Sequence, residues 1–346
     1  LTNHSQPPGA TATGRGCYAW GATGKIYSVF ENRIYSNTSA IGSTLAATSG
    51  MVNFCEIPAS TGQQMLIMSD GTDNYNINLS DGVTQIDESD DSDYPTPNTG
   101  SIVYLDGYTF LSKTNGQLWN FDLNSFTSLG AASYLSVDTY GSDLVAFHIQ
   151  KDQIIAFTKN RTEFFFNNGN PSGSPLLRID QNTLGVGCAA KQSLAFSGEH
   201  LCFVGQNPSD GAGGRRVWMI SSLGKVRDIS TPMINRFLNA EGTSITSCTS
   251  WMETLSNGEL VYVLNLSSAN RTFVYYVELG LWSEWESSGG AKFTGCAATS
   301  MDGTLYIQDA TNGRIYKMQP TTYQDSGSNF TVTLQTGRSN FGAPPR

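Results

Sequence analysis

Six cysteines, three histidines, one acidic run and one glycine-rich run are the places where this chain of 346 residues could do chemistry. The cysteines are Cys17, Cys55, Cys188, Cys202, Cys248 and Cys296, and no two form a C-x-x-C pair, which argues against a structural zinc site. His4, His148 and His200 have no Glu or His at a metal-binding offset, so surface or core roles are expected for them. Asp87, Glu88, Asp90, Asp91 and Asp93 could surround a hard cation. Their spacing lacks the central glycine and closing glutamate of a calcium loop, and a solvated loop over residues 87–97 is the stronger reading. Gly211-Ala212-Gly213-Gly214-Arg215-Arg216 has the glycines of a phosphate loop. It leads into a strand rather than a helix, so it lacks the helix dipole such loops use. A long hairpin loop is expected there.

Composition narrows the function further. Only 14% of residues are charged, the net charge is -9, and 36 residues are glycine. Aromatic content of 11% excludes a charged disordered chain. The acidic balance argues against a phosphate-gripping surface, which needs a basic patch. No apolar run approaches the ~18–20 residues that span a bilayer, so no membrane insertion by this chain is expected. The start Leu1-Thr2-Asn3-His4-Ser5 does not read as a signal peptide, and an internal start in a processed or trimmed chain is expected.

The elements that must position these residues are short strands. Alternating segments are separated by Asp70-Gly71, Asp81-Gly82, Asp106-Gly107, Asn115-Gly116, Asn257-Gly258, Asp302-Gly303 and Asn312-Gly313, which favour tight hairpin turns. Aligned on these turns, the chain divides into units of roughly 40–55 residues with three or four strands each, the signature of a β-propeller. The expected fold is therefore all-β, a propeller of six or seven blades with one short inserted helix. That helix should begin at Thr231-Pro232, with Thr231 as cap and Met233, Ile234, Phe237 and Leu238 as its apolar stripe. Residues 1–13 read as an N-terminal arm, 14–320 as the propeller, and 321–346 as a C-terminal segment that could open a further β-rich region. The first unit is a candidate to lend strands that close the last blade.

Five cysteines (Cys17, Cys55, Cys188, Cys248 and Cys296) then fall on the first strand of a unit, at the crowded propeller centre, where a free thiol serves as a small apolar group. A disulfide framework is the alternative, but equivalent strands of separate blades lie too far apart for it. Ser300-Met301-Asp302-Gly303-Thr304 is the nearest approach to the Asp-box turn of sialidase-type propellers, and its Asp-Gly pair reads instead as an ordinary hairpin turn. No catalytic, cofactor-binding or metal site is assigned, and no cofactor is expected.

The order of segments resembles a known family. Residues 145–166 combine a strand, a Lys-Asp turn, a second strand and a Thr-Glu-Phe-Phe segment, followed by Gly185-Val186-Gly187-Cys188 and Leu201-Cys202-Phe203-Val204-Gly205. Ile229-Ser230-Thr231-Pro232 opening a short helix, and Trp282-Ser283-Glu284-Trp285 further on, continue the pattern. This run resembles the tail hub proteins of short-tailed bacteriophages (podoviruses), also called tail nozzle or packaged-DNA stabilisation proteins. The resemblance covers roughly residues 16–318. It implies a non-enzymatic virion protein of the tail, forming a homohexameric ring below the portal–adaptor ring. The ring would extend the DNA channel, retain packaged DNA and hold a tail needle or plug, with tailspike or fibre proteins attached around it. Genomic DNA would pass through the lumen without specific binding, which a chain of net charge -9 favours by repelling phosphates. Two other readings compete: a propeller that binds glycans or hydrolyses host polysaccharide with exposed aromatics such as Trp119, Trp218, Trp282 and Trp285, and a generic propeller interaction scaffold.

Overall fold

A computed structural model describes residues 1–329 except 60–61, 138–141, 171, 207–213, 222–224 and 323. Seven antiparallel sheets of four or five strands follow one another along the chain, making a seven-bladed β-propeller. The inner strands are Gly14–Trp20, Asn53–Ile57, Val103–Leu105, Leu144–Gln150, Gly187–Cys188 with Ala195–Ser197, Thr249–Thr254 and Gly295–Met301. The choice between six and seven blades is thus settled at seven.

The core lies in the seams between blades. Ile155, Phe157 and Phe164 of the fourth blade pack on Leu201, Phe203 and Ile220 of the fifth. Trp251, Val261 and Val263 of the sixth meet Leu305 and Ile307 of the seventh. Each middle strand is therefore covered on both faces, which is why Leu260–Leu266 is buried at every position. Clusters shared between consecutive blades carry the hydrophobic stabilisation around the ring.

Closure uses a different segment from the one expected. Thr2–Ser5, read above as part of an arm, forms the outermost strand of the seventh blade, paired with Ile315–Met318. Its sequence, Thr-Asn-His-Ser, shows no apolar alternation because an outermost strand needs little buried side chain. The first unit keeps its own strands, Gly14 to Ile41, in one sheet. The seam between seventh and first blades is fastened from within by Gln308. Its Oε1 accepts from the Gly16 N–H at 2.7 Å and its Nε2 donates to the Val29 carbonyl at 2.9 Å.

The helix spans Pro232–Ala240 between the fifth and sixth blades, and the Ile234 N–H donates to the Thr231 hydroxyl at 3.3 Å as an N-cap. Ile234 and Leu238 are buried. Met233, assigned to the apolar stripe, instead faces solvent at 54% exposure. Of the Asp-Gly turns, Asp106-Gly107 and Asp302-Gly303 have positive φ at both residues, as a tight hairpin of the I′ kind requires. Asp70 does something else. Its carboxylate accepts from the N–H groups of Thr72 and Asp73 within its own turn and from Ala47 N–H. Beyond residue 320, the described residues include a short hairpin, Gln324–Asp325 with Ser328–Asn329.

Candidate functional site

The axial channel is where inner-strand chemistry converges. At one mouth a cavity of about 390 Å³ is lined by Arg15, Met51, Gln192, Cys248, Lys292 and Cys296, among others. A second cavity, of about 100 Å³, is bounded by Asn53, Ser101, Phe147, His148, Lys191 and Phe196. The two are lined by neighbouring residues of one turn. Between the two pieces of the fifth inner strand, Lys191–Ser193 forms a 3-10 turn. Neighbouring groups hold it: Ser193 Oγ donates to Ala190 O at 2.6 Å and accepts from Val204 N–H, and Tyr262 Oη donates to Ser193 O at 2.7 Å.

Arg15 is the best-held side chain of the mouth. It is 1% exposed, and its guanidinium donates to four carbonyls: Gly50 at 2.6 Å, Glu31 at 2.8 Å, Ala47 at 2.7 Å and Ser49 at 2.9 Å. Three of these belong to the connection between the first and second blades. A planar, always charged fork suits that convergence as no other side chain does. Lys191 lies across from it. Burial pulls its pKa down to about 8, with Asp70 opposing and Arg15 reinforcing that shift. A side chain at Gly100 would collide with the Lys191 ammonium.

Other inner-strand residues present carboxylates. The Tyr18 hydroxyl donates to Glu56 at 3.2 Å, and the Ser300 hydroxyl donates to Glu253 at 2.8 Å. Burial raises the Glu253 pKa, and both glutamates raise that of Tyr18 beyond what burial alone does. None of these charged groups of the channel stood out in the sequence. The available signal was a charged residue inside an otherwise apolar or small inner strand, as in Gly14-Arg15-Gly16.

The residues that were singled out are placed as follows. All six cysteines are free. Burial pushes Cys188 up to about 11 and Cys55 and Cys296 up to about 12, so they are poor nucleophiles at neutral pH. His148 shares a hydrogen bond of 2.8 Å with the Ile149 carbonyl through Nδ1, lies against Phe196, and has its pKa lowered by burial. It is therefore a neutral donor at Nδ1. His4 sits edge-on to Tyr306, and His200 lies in the second strand of the fifth blade. Among the described residues no three His, Cys, Asp or Glu side chains come together as a metal site would require. Of the glycine-rich run, residues 211–213 lie outside the described residues, and Arg216 opens the strand Arg216–Ser221. The four tryptophans offered as an exposed sugar platform are engaged within the blades: Trp119 is buried and stacked on Tyr134, Trp218 is half-buried against the core between the fourth and fifth blades, Trp282 donates to Ile229 O at 2.6 Å, and Trp285 packs on Phe293.

The acidic run caps its own turns. The Asp87 carboxylate accepts from Ser89, and Asp91 accepts from Asp93 N–H and Leu129 N–H. Beside it, Gln85 Nε2 donates to Asp73 at 2.7 Å and to Asp87 at 3.2 Å. Burial, then neighbouring carboxylates, raise Asp73 from 3.8 to about 6 despite the Gln85 hydrogen bond. The folded state thus holds this proton more tightly than the unfolded chain. Stability falls as pH rises from about 4 to about 6, and the cost is fully present at neutral pH. Asp73→Asn is therefore expected to raise the melting temperature at pH 7. The gain should shrink as the pH is lowered from 6 toward 4, as thermal melts across that range would show.

Comparison with known proteins gives one family. Residues 3–323 match the family described as bacteriophage P22 Gp10, β-propeller. No curated protein matches the sequence. Among solved structures, a streptogramin B lyase superposes with a TM-score of 0.54 at 14% identity, covering 91% of this chain and 96% of that one. Virginiamycin B lyase from Staphylococcus aureus, a catalytically inactive variant with quinupristin, gives 0.55 at 11% identity over 91% and 97%. The WD40 β-propeller domain of Doa1 gives 0.52 at 12% identity over 93% and 96%. At such identities the likeness is one of fold alone.

Proposed function

From the membership of this chain in the bacteriophage P22 Gp10 β-propeller family, a family of phage structural proteins, we propose that it is a tail hub subunit. In this reading, six copies form a ring beneath the portal and its adaptor. The ring extends the DNA channel, retains the packaged genome, holds the needle or plug that seals it, and offers its outer surface to tailspikes or fibres. The observation that carries the reading is the family match over residues 3–323, nearly the whole propeller.

Physical features support it. Cavities of about 390 and 100 Å³ on the propeller axis cannot admit a duplex, so a DNA conduit has to lie between copies of the chain. A net charge of -9 on each copy disfavours tight binding of phosphates, which suits a genome that must slide. The buried thiols and the neutral, hydrogen-bonded His148 fit a scaffold rather than a catalyst. Immunogold labelling of intact virions with antibodies to this chain should place gold on the tail vertex. Label on the capsid faces, or no label on particles, would contradict the assignment. So would release of sugars from host polysaccharide by the purified protein.

A further inference from the structure

The Lys191 side chain is half-buried beside the smaller of the two cavities, and among the described residues its ammonium donates to no acceptor. A half-buried ammonium without a protein acceptor takes its hydrogen bonds from water or from an anion. The nearby carboxylate is already used: Asp70 accepts from Ala47, Thr72 and Asp73 N–H groups and from the Tyr75 hydroxyl. The nearby guanidinium of Arg15 gives four of its five N–H donors to carbonyls and adds only repulsion. The fold nevertheless invests in this placement. The inner strand of the fifth blade is broken to make the Lys191–Ser193 turn, and Gly100 leaves open the space in which the amino group lies.

The space that Lys191 borders is polar. Asn53 donates to the Gly100 carbonyl at 2.6 Å, and Ser101 accepts from Phe147 N–H at 3.3 Å, which leaves the hydroxyl proton of Ser101 to be donated. The volume of about 100 Å³ would hold about three waters at liquid density, or one small oxyanion in their place.

We propose that this axial cavity binds one small oxyanion, a phosphate or a carboxylate, with the Lys191 ammonium as its fixed counter-charge and the Ser101 hydroxyl as a second donor. The titratable and charged groups facing Lys191 are Asp70, Arg15 and, across the cavity, His148. Binding requires Lys191 charged, so the wild-type affinity falls as pH rises through the lysine's own transition, which a bound anion moves upward.

The test is titration calorimetry of the full chain with inorganic phosphate and, separately, succinate, at constant ionic strength set by a bulky sulfonate buffer. One-to-one saturable binding is expected for at least one of them, and which one binds distinguishes phosphate from carboxylate recognition. Lys191→Met should weaken binding by about tenfold or more, whereas Lys191→Arg, which keeps the charge, should lose only a few-fold. Thermal melts without ligand check that both variants fold. Lys191→Met is expected to melt no lower than wild type, because it removes a desolvated charge. No saturable binding of either anion up to about 20 mM would overturn the proposal. Equal affinity in wild type and Lys191→Met would overturn it as well.

Discussion

Arg15→Met is expected to destabilise the propeller by about 3–5 kcal/mol, the largest effect of any single substitution at the channel mouth. The side chain is fully buried and serves four main-chain carbonyls, at Glu31, Ala47, Ser49 and Gly50. Methionine fills similar volume but leaves those acceptors without donors. Each buried orphan costs about 1–3 kcal/mol, and entry of water into the mouth recovers part of the sum. The connection over residues 42–52 loses its anchor, and Val52, whose N–H donates to the Arg15 carbonyl, marks where the second blade begins. Arg15→Lys should recover little, because one point charge cannot reach acceptors arranged around a fork. Denaturant melts of the three proteins measure this. A loss under about 1 kcal/mol in Arg15→Met would show that the connection is held by other means.

Gln308→Leu is expected to cost about 2–5 kcal/mol, and its effect should be localised. Gln308 is wholly buried and joins the seventh blade to the first through Gly16 N–H and Val29 C=O. Leucine has comparable bulk, so the loss comes from two stranded backbone groups and not from a cavity. The position is also tight: a side chain at Gly14 would press on Gln308 and the Asp309 carbonyl, so the neighbours cannot move in to compensate. Hydrogen exchange should quicken first at Gly16 and along Lys25–Phe30, with the fourth blade still protected. Uniformly faster exchange in all blades would mean that the seam is no weak point of the ring.

Much of this architecture was legible because propeller strands and their turns are local. Asp106-Gly107 and Asp302-Gly303 adopt the backbone their sequence favours, and Thr231-Pro232 starts the helix that capping chemistry expects. What was hidden depends on closure of the ring. Arg15, Lys191 and Asp70 lie far apart in the chain, and only the arrangement of inner strands about one axis brings their charges into range. The closing strand Thr2–Ser5 was read as an arm because an outermost strand is held mainly by backbone pairing, which leaves little trace in side-chain type. Met233 was misplaced for the same reason. Periodicity and residue type report which surfaces are apolar, while the partner surface decides which of them is covered. The family assignment draws on the order of many weak local features, and that order survives where individual contacts cannot be foreseen.

The central claim is that this propeller works as one subunit of a tail ring. The most direct measurement is electron cryomicroscopy of the protein mixed with its portal–adaptor assembly. The account predicts a sixfold ring of propellers docked beneath the adaptor, with an open lumen between subunits. Propellers that remain single particles and leave the portal–adaptor assembly bare would contradict it.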